Sequence, residues 1–170
     1  MSAPQGDALA RADAVLREHG KTFTWARRFL GRRHAERATR LYALCRRLDD
    51  LADEAADRDV AATSLQAIRA ELEAGKSGDP LIASVLQQFG GNEAARQAVV
   101  ALVDGVMRDL REVAFDSDRE LMRYCYRVAG TVGVMMCSAL DQPDPNAAPF
   151  AVDLGIAMQL TNIARDVHED

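Results

Sequence analysis

Apolar residues recur every three or four positions along most of this chain, which is the pattern of helices that bury one face. The stretch 33–55 shows this spacing most completely, at Ala38, Leu41, Tyr42, Cys45, Leu48 and Ala52. Aromatic residues make up only 5% of the chain, and no run of alternating β-branched residues occurs, so strands are not expected. The 170 residues are therefore predicted to form one all-α domain, 1–170, with a real core.

Capping residues and glycine turns divide the chain into helices. The expected N-caps are Asp7, Asp79, Asn92 and either Ser117 or Asp118. The predicted helices cover about 7–19, 23–30, 33–55, 59–74, 80–89, 117–140 and 150–170. One more helix is predicted to begin at residue 93. Gly130 and Gly133 lie inside one of them, where each costs about 1 kcal/mol relative to alanine. They indicate either a close helix crossing or a gap beside a ligand chain.

The net charge of −5 argues against broad nucleic-acid binding. A local run of arginines extends from Arg27 to Arg47, and a solvated helix face is its plainest interpretation. Cys45, Cys125 and Cys137 lie among apolar residues without a C-x-x-C pair, so we expect free thiols in a reducing compartment. No apolar run reaches membrane-spanning length, and the N-terminus lacks a signal-peptide core. These features predict a cytoplasmic protein.

Two pairs of aspartates share a spacing of four residues. Asp49 and Asp53 lie in RRLDDLADE, and Asp166 and Asp170 lie in NIARDVHED. Residues four apart share one helix face, so each pair presents two carboxylates in one direction. Gln159 and Asn162 extend the second pair along the last helix. Carboxylate and amide oxygens suit Mg²⁺, although acid-rich helices also carry such pairs simply as solvated charge.

Other kinds of site are not indicated. His19, His34 and His168 have no H-x-x-x-H partner for zinc, and there is no D-x-D-x-D-G calcium loop. A G-x-x-x-x-G-K-[ST] nucleotide loop and a G-x-S-x-G nucleophile motif are also missing. Two acid pairs, both bordering apolar helix faces, therefore favour a metal site.

The amino-acid sequences of four segments resemble motifs of the squalene/phytoene synthase family. HGKTFTWARRFL resembles its amino-terminal substrate segment, and LYALCRRLDDLADE resembles its first aspartate-rich motif. YCYRVAGTVG resembles the central signature, and QLTNIARDVHED resembles the second aspartate-rich motif. The four matches occur in family order and cover nearly the whole chain.

The resemblance implies an isoprenoid-synthase-type helical bundle around a central cavity. It further implies a prenyltransferase that joins two prenyl diphosphates, farnesyl or geranylgeranyl, head to head through a cyclopropyl intermediate. Squalene or phytoene-type products of isoprenoid or carotenoid biosynthesis would result. The cofactor would be Mg²⁺, with Mn²⁺ as an alternative, held by the two aspartate motifs.

The resemblance also assigns roles to individual residues. The metal-associated residues would be Asp49, Asp53, Asn162, Asp166 and Asp170. The four aspartates and Tyr124 would be catalytic, Tyr124 in proton transfer or cation handling. The substrate-binding residues would be Lys21, Phe23, Tyr42, Arg46, Val128, Gly133, Gln159 and Arg165. For Tyr42 and Tyr124 a core position with a satisfied hydroxyl is the alternative.

Departures from the family pattern limit these expectations. Gly20 stands where many members have a serine, and Arg27 replaces an aromatic or apolar residue, which leaves the upper cavity and substrate preference open. Family members also continue through several more helices, so the chain looks truncated at its C-terminus, which leaves open whether it is active in isolation. The apolar face of the 150–170 helix would then invite a partner or self-association.

Rival interpretations remain at this stage. One is a non-catalytic subunit that binds prenyl diphosphate, and another is a plain helical bundle with surface acids. A head-to-tail prenyltransferase fits the local sequences of the aspartate motifs less well. Expected partners are prenyl diphosphates and, through peripheral contact for product release, a membrane surface; no nucleic acid is expected.

Overall fold

The computed structural model describes residues 3–19, 21–53, 55–111, 114–142 and 144–169. Side chains are described for the same residues except 3–8, 19, 21–22 and 167–169. Helices α1 to α5 are Ala3–His19, Lys21–Ala26, Arg32–Asp53, Arg58–Ala74 and Pro80–Phe89. Helices α6 to α9 are Glu93–Asp109, Asp118–Cys125, Thr131–Ala139 and Ala147–Glu169. A 3₁₀ turn, Arg27–Phe29, follows α2, and a π-helical segment, Tyr126–Gly130, joins α7 to α8.

Side-chain caps set most of the middle boundaries. Asp79 accepts hydrogen bonds from the backbone N–H groups of Leu81 and Ile82, and Pro80 fills the first helical position, where no N–H is needed. Asn92 and Ser117 cap α6 and α7 in the same way, as predicted. Caps of this kind satisfy backbone donors that a helix start would otherwise leave unpaired.

The two outermost helices begin earlier than predicted. The first helix starts at Ala3 rather than at 7, and the last starts at Ala147 rather than at 150. Pro149 therefore lies in the first turn of α9, where proline is tolerated because its missing N–H has no helical partner.

Helix α3 lies at the centre of the packing. It contacts α1, α4, α5, α6 and α8, and its side chains Leu44 and Leu48 are fully buried. Leu65 and Leu72 of α4 and Val99 of α6 join the same core. Within the described residues, no helix combines the length and the apolar composition needed to cross a bilayer.

Helix α9 crosses α8 and the π-helical segment before it at very short range, with glycine at both contact points. A Cβ added at Gly133 would lie 2.3 Å from the carbonyl oxygen of Ala151, and one at Gly155 would lie 2.5 Å from that of Ala129. Both distances are far below van der Waals contact, so only glycine fits. The structure thus supports the close-crossing interpretation of Gly133, and its expected place beside a prenyl chain stays a prediction.

This crossing makes a stability prediction. Gly133→Ala should lower the free energy of unfolding by about 1–3 kcal/mol, because the new methyl group forces the backbone of α9 away. Urea unfolding followed by circular dichroism measures the change. Gly78→Ala is the control, because a Cβ there meets nothing within 4 Å; equal stability of the two variants would contradict the crossing.

Candidate metal and diphosphate site

The first aspartate pair lies near the C-terminal end of α3, where the helix leaves the core. Leu48 is fully buried, and the next residue, Asp49, borders that buried surface while remaining in contact with solvent. The pKa of the Asp49 carboxyl is raised to about 6, first by partial burial and then by the negative charge of Asp53. Arg46 counteracts this rise in part. Two carboxylates are thus held together at a net electrostatic cost.

A third carboxylate, Asp109, approaches the pair from the last position of α6. Its charge acts on Asp49, and that of Asp53 acts on Asp109. Burial raises the pKa of Asp109. Its Oδ1 atom is buried and has no hydrogen-bond partner among the described residues, which is unusual because buried carboxylate oxygens are normally paired. A cation or a protonated ligand group would satisfy that oxygen.

The hydroxyl of Tyr124 in α7 lies beside the carboxyl of Asp109, and the two groups interact. Burial first, and then the Asp109 charge, raises the pKa of the Tyr124 phenol well above its usual range. The Tyr124 ring packs on Phe115 with centroids 5.1 Å apart, and Arg108 lies over the other ring at 5.0 Å. The phenol is therefore neutral, fixed in place, and directed towards the acids.

Asp109 was missed in the sequence analysis. It lies beside Val106 and Leu110, two buried residues of the α6 stripe. A carboxylate that borders a buried stripe is the same signal that singled out Asp49. It was overlooked because Asp109 has no second acid four residues away.

Tyr42, Phe23 and Arg46 form the neighbouring part of the surface. The rings of Phe23 and Tyr42 lie 5.4 Å apart, which joins α2 to α3. Burial raises the pKa of Tyr42, and Arg46, Asp49 and Asp50 all act on its hydroxyl. Arg46 itself pairs with Asp50 at 2.6 Å, while its Nε is buried without a partner among the described residues.

The second aspartate motif lies on an exposed part of α9. Asp166 and Asn162 are exposed, and Gln159 is half-buried. Arg165 donates hydrogen bonds to one oxygen of Asp166 at 2.9 and 3.1 Å. Asp170 and the side chain of Lys21 lie outside the described residues. Val128, in the π-helical segment, packs against Gly105 of α6.

The predicted residues therefore fall into two groups. Asp49 and Asp53 meet Asp109 and Tyr124 on one side, whereas Asp166 pairs with Arg165 on α9. Helix α8 packs against both α3 and α9 and so joins the two. In the part of the chain that the structure describes, no three His, Cys, Asp or Glu side chains converge as a ready metal cluster.

The side chain of Arg27, which departs from the family pattern, points towards neighbouring helices. Its guanidinium pairs with Asp13 of α1 and donates a hydrogen bond of 3.1 Å to Thr39 of α3. The pKa of Asp13 is lowered chiefly by its own hydrogen bond with Arg27. The substitution thus replaces an apolar contact with a polar tie between the first three helices.

Helix α9 exposes a different side from the apolar side that the sequence predicted to be exposed. The apolar side predicted from the sequence carries Ile156, Leu160 and Ile163, and these residues are half-buried. The large exposed side chains are instead Phe150, Leu154 and Met158, with 74%, 64% and 61% of their surface accessible. We name these three residues the α9 stripe; the expectation that a partner, a second copy or further helices cover α9 stays a prediction.

Comparison with known sequences places these features in a family. The chain matches Squalene/phytoene synthase over residues 16–170. It is 35% identical to the phytoene synthase of Cereibacter sphaeroides, with 92% of this chain and 47% of that protein aligned. The phytoene synthase of Thermus thermophilus is 37% identical, with 98% and 56% aligned. The 4,4'-diapophytoene synthase of Staphylococcus haemolyticus is 33% identical, with 92% and 56% aligned.

Solved structures agree with this match. A dehydrosqualene synthase in complex with a ligand superposes with a TM-score of 0.85 at 30% identity, covering 99% of this chain and 60% of that chain. The squalene synthase of Alicyclobacillus acidocaldarius gives a TM-score of 0.79 at 23% identity, over 93% and 60%, which supports the fold alone. The chain spans about half the length of the curated relatives it matches.

These findings confirm the all-α isoprenoid-synthase-type fold that the four motifs implied. The family match extends from residue 16, in α1, to residue 170. The chain belongs to the squalene/phytoene synthase family.

Proposed function

We propose that the protein to which this chain belongs joins two prenyl diphosphates head to head. The observation that carries the proposal is the acid cluster on α3 and α6, where burial and neighbouring carboxylates raise the pKa values of Asp49 and Asp109 beside the neutral phenol of Tyr124. Strongly perturbed acids in one place mark functional sites more often than surface charge does. The family match and the identity of the relatives support the same reaction class.

The residues present suit Mg²⁺, or Mn²⁺ in its place. Asp49 and Asp53 would hold the ion on one side, and Asn162, Asp166 and Asp170 on the other. The carboxylates supply hard oxygen ligands, and the solvent contact of Asp49 leaves positions for water and diphosphate oxygens. Bound there, the metal would neutralise charge on the departing diphosphate.

Basic and aromatic side chains would orient the substrates. Arg46, Arg165 and Lys21 are proposed to contact diphosphate oxygens. The prenyl chains would lie against Phe23, Tyr42, Val128, Gly133 and Gln159. Tyr124, held by Asp109, would stabilise the developing carbocation or pass on the proton that the condensation releases.

The proposed reaction has two stages. In the first, the C–O bond to diphosphate breaks in one substrate, the second substrate's double bond attacks the cation, and loss of a proton closes a cyclopropane ring. In the second, the remaining diphosphate leaves, the resulting cation rearranges, and loss of a second proton gives a C30 or C40 hydrocarbon. Each stage releases one diphosphate.

The synthase proposal is tested with the longest reading frame that contains this chain. Incubation with Mg²⁺ and farnesyl or geranylgeranyl diphosphate should release pyrophosphate and give a hydrocarbon detected by mass spectrometry. Binding of a prenyl diphosphate without release of pyrophosphate would instead identify a non-catalytic binding subunit. Neither binding nor release from either substrate would sink the proposal.

Asp49→Asn should stabilise the metal-free chain. Because folding raises the pKa of Asp49 from 3.8 to about 6, the folded state binds more protons than the unfolded state between those values. The free energy of unfolding therefore falls as pH rises through that window, and the loss persists above it. Discounted for solvent contact, the gain from Asn at pH 7.5 should be about 1 kcal/mol in urea unfolding.

The same variant should lose its response to Mg²⁺. The wild-type melting temperature should rise with Mg²⁺ by mass action, more at pH 8 than at pH 5.5, where protons compete for Asp49. Asp57→Asn is a matched control, because Asp57 is exposed and caps α4. An undiminished Mg²⁺ shift in Asp49→Asn would remove Asp49 from the metal site.

Tyr124→Phe should lower kcat by roughly 10²–10⁴ if the hydroxyl carries the proton, with a small effect on KM. Asp109→Asn should reproduce much of that loss, because the amide no longer fixes the phenol as a charged acceptor does. Tyr126→Phe is the control, since Tyr126 is 41% exposed two residues away. Equal kcat for Tyr124→Phe and Tyr126→Phe would assign Tyr124 to the core instead.

A further inference from the structure

The arginines near the start of α3 differ in their contact with solvent. Arg32 and Arg33 are exposed, but only 14% of the Arg37 side chain and 19% of the Arg40 side chain are accessible. A solvated face therefore describes only part of this run. Arginine is rarely buried without a partner, because its charge loses hydration. Charged partners are expected around both guanidinium groups.

Four guanidinium groups in this part of α3 share two carboxylates. The four belong to Arg32, Arg33, Arg37 and Arg40. Glu36 pairs with Arg32 at 2.9 Å and with Arg40 at 3.8 Å. Asp141, in the turn after α8, pairs with Arg33 at 3.0 Å and with Arg37. Two positive charges therefore remain without a counter-charge among these groups, and the longest of the four contacts belongs to Arg40.

A cavity of about 340 Å³ opens beside these arginines, between α3 and α5. The residues that line it are all polar or charged. They include Arg33, Glu36, Arg37 and Arg40 of α3 and Ser84 and Gln88 of α5. The volume lies at the lower end of the range for small-molecule sites. A wall without apolar side chains suits a hydrophilic ligand and offers no contact surface to a prenyl chain.

Gln88 adds an unsatisfied group to the wall of the cavity. Both polar atoms of its side-chain amide are buried without a hydrogen-bond partner among the described residues, whereas buried polar atoms are normally paired. Arg37 donates a hydrogen bond of 2.7 Å to the backbone carbonyl of Gln88, so the main chain of this residue is held in place. Rotation of the side chain into the cavity would let the amide donate to a ligand oxygen.

We propose that this cavity binds the phosphate group of a small hydrophilic molecule. A phosphate monoester has close to two negative charges at neutral pH, which matches the two uncompensated guanidinium charges, whereas a carboxylate supplies one. Arg33 and Arg40 would bind the phosphate oxygens, because the planar guanidinium fork fits phosphate. The Gln88 amide would donate a further hydrogen bond. We name this cavity the α3–α5 site.

The α3–α5 site is separate from the acid cluster. Arg40 and Asp49 are nine residues apart on α3, which is two and a half helical turns, so their side chains leave the helix on opposite sides. The same spacing separates Arg33 from Tyr42. Ligand binding at the α3–α5 site therefore does not depend on the proposed synthase reaction.

Nuclear magnetic resonance without Mg²⁺ tests the site in the longest reading frame that contains this chain. With EDTA present, inorganic phosphate and glycerol 3-phosphate should each shift the backbone amide signals of 33–40 and 84–88 in a saturable way. The signals around Asp49 should stay in place. Tighter binding of glycerol 3-phosphate than of inorganic phosphate would show that the organic part of the ester also contributes. Acetate at the same ionic strength should leave all of these signals unshifted.

Variants test which side chains hold the phosphate. Arg40→Gln should weaken binding about tenfold or more, because it removes a charge-assisted hydrogen bond. Arg33→Gln should weaken it as well, and this change should not disturb folding because the Arg33 side chain is 73% exposed. Arg119→Gln removes the same charge from an exposed position of α7 and should bind as the wild type does. Circular dichroism checks that each variant is folded.

Four results would overturn the proposal. They are no saturable shift at 33–40 and 84–88 with either phosphate probe, shifts confined to the acid cluster, equal shifts with acetate, and equal affinity of Arg40→Gln and the wild type. Pyrophosphate release by Arg40→Gln should match the wild-type rate, since Arg40 lies on the other side of α3. A wild type that binds phosphate at the α3–α5 site but releases no pyrophosphate would contradict the proposed synthase and support this site.

Discussion

The repulsion among Asp49, Asp53 and Asp109 is the interaction on which the rest of the site depends. The three carboxylates come from α3 and α6 and are held at the edge of the core, where burial and mutual charge raise the pKa of Asp49 to about 6. Such an arrangement costs stability in the absence of a counter-charge. The surrounding packing must therefore hold the three carboxylates in place, and the proposed ligand would relieve the electrostatic destabilisation.

Helix α3 supplies that packing. Leu44 and Leu48 are fully buried against neighbouring helices, so the helix cannot rotate to move Asp49 away from Asp109 without exposing them. Tyr124 completes the arrangement from α7, where its ring packs on Phe115, and Arg108 in turn lies over the Phe115 ring. One helix, α3, thus contributes side chains both to the core and to the acid cluster. This is why a stabilising change at Asp49 is expected to remove the metal response.

Features that depend on neighbouring residues in the sequence could be predicted, whereas features that depend on contacts between helices could not. The caps Asp79, Asn92 and Ser117 act within three residues, so sequence alone predicted the first two and limited the third to Ser117 or Asp118. Asp109 depends on a contact with another helix, and no neighbouring residue in the sequence announces it. The same holds for Gly133, whose glycine is required by the backbone of α9 and not by its own helix.

The central claim is that the acids of α3 and those of α9 bind one diphosphate–metal assembly. Paramagnetic broadening of backbone amide signals by Mn²⁺, with pyrophosphate present, tests this directly in the longest reading frame that contains the chain. The account predicts broadening around both Asp49 and Asp166, and its loss at both places in Asp49→Asn. Broadening confined to one helix, or unchanged around Asp166 in that variant, would contradict it.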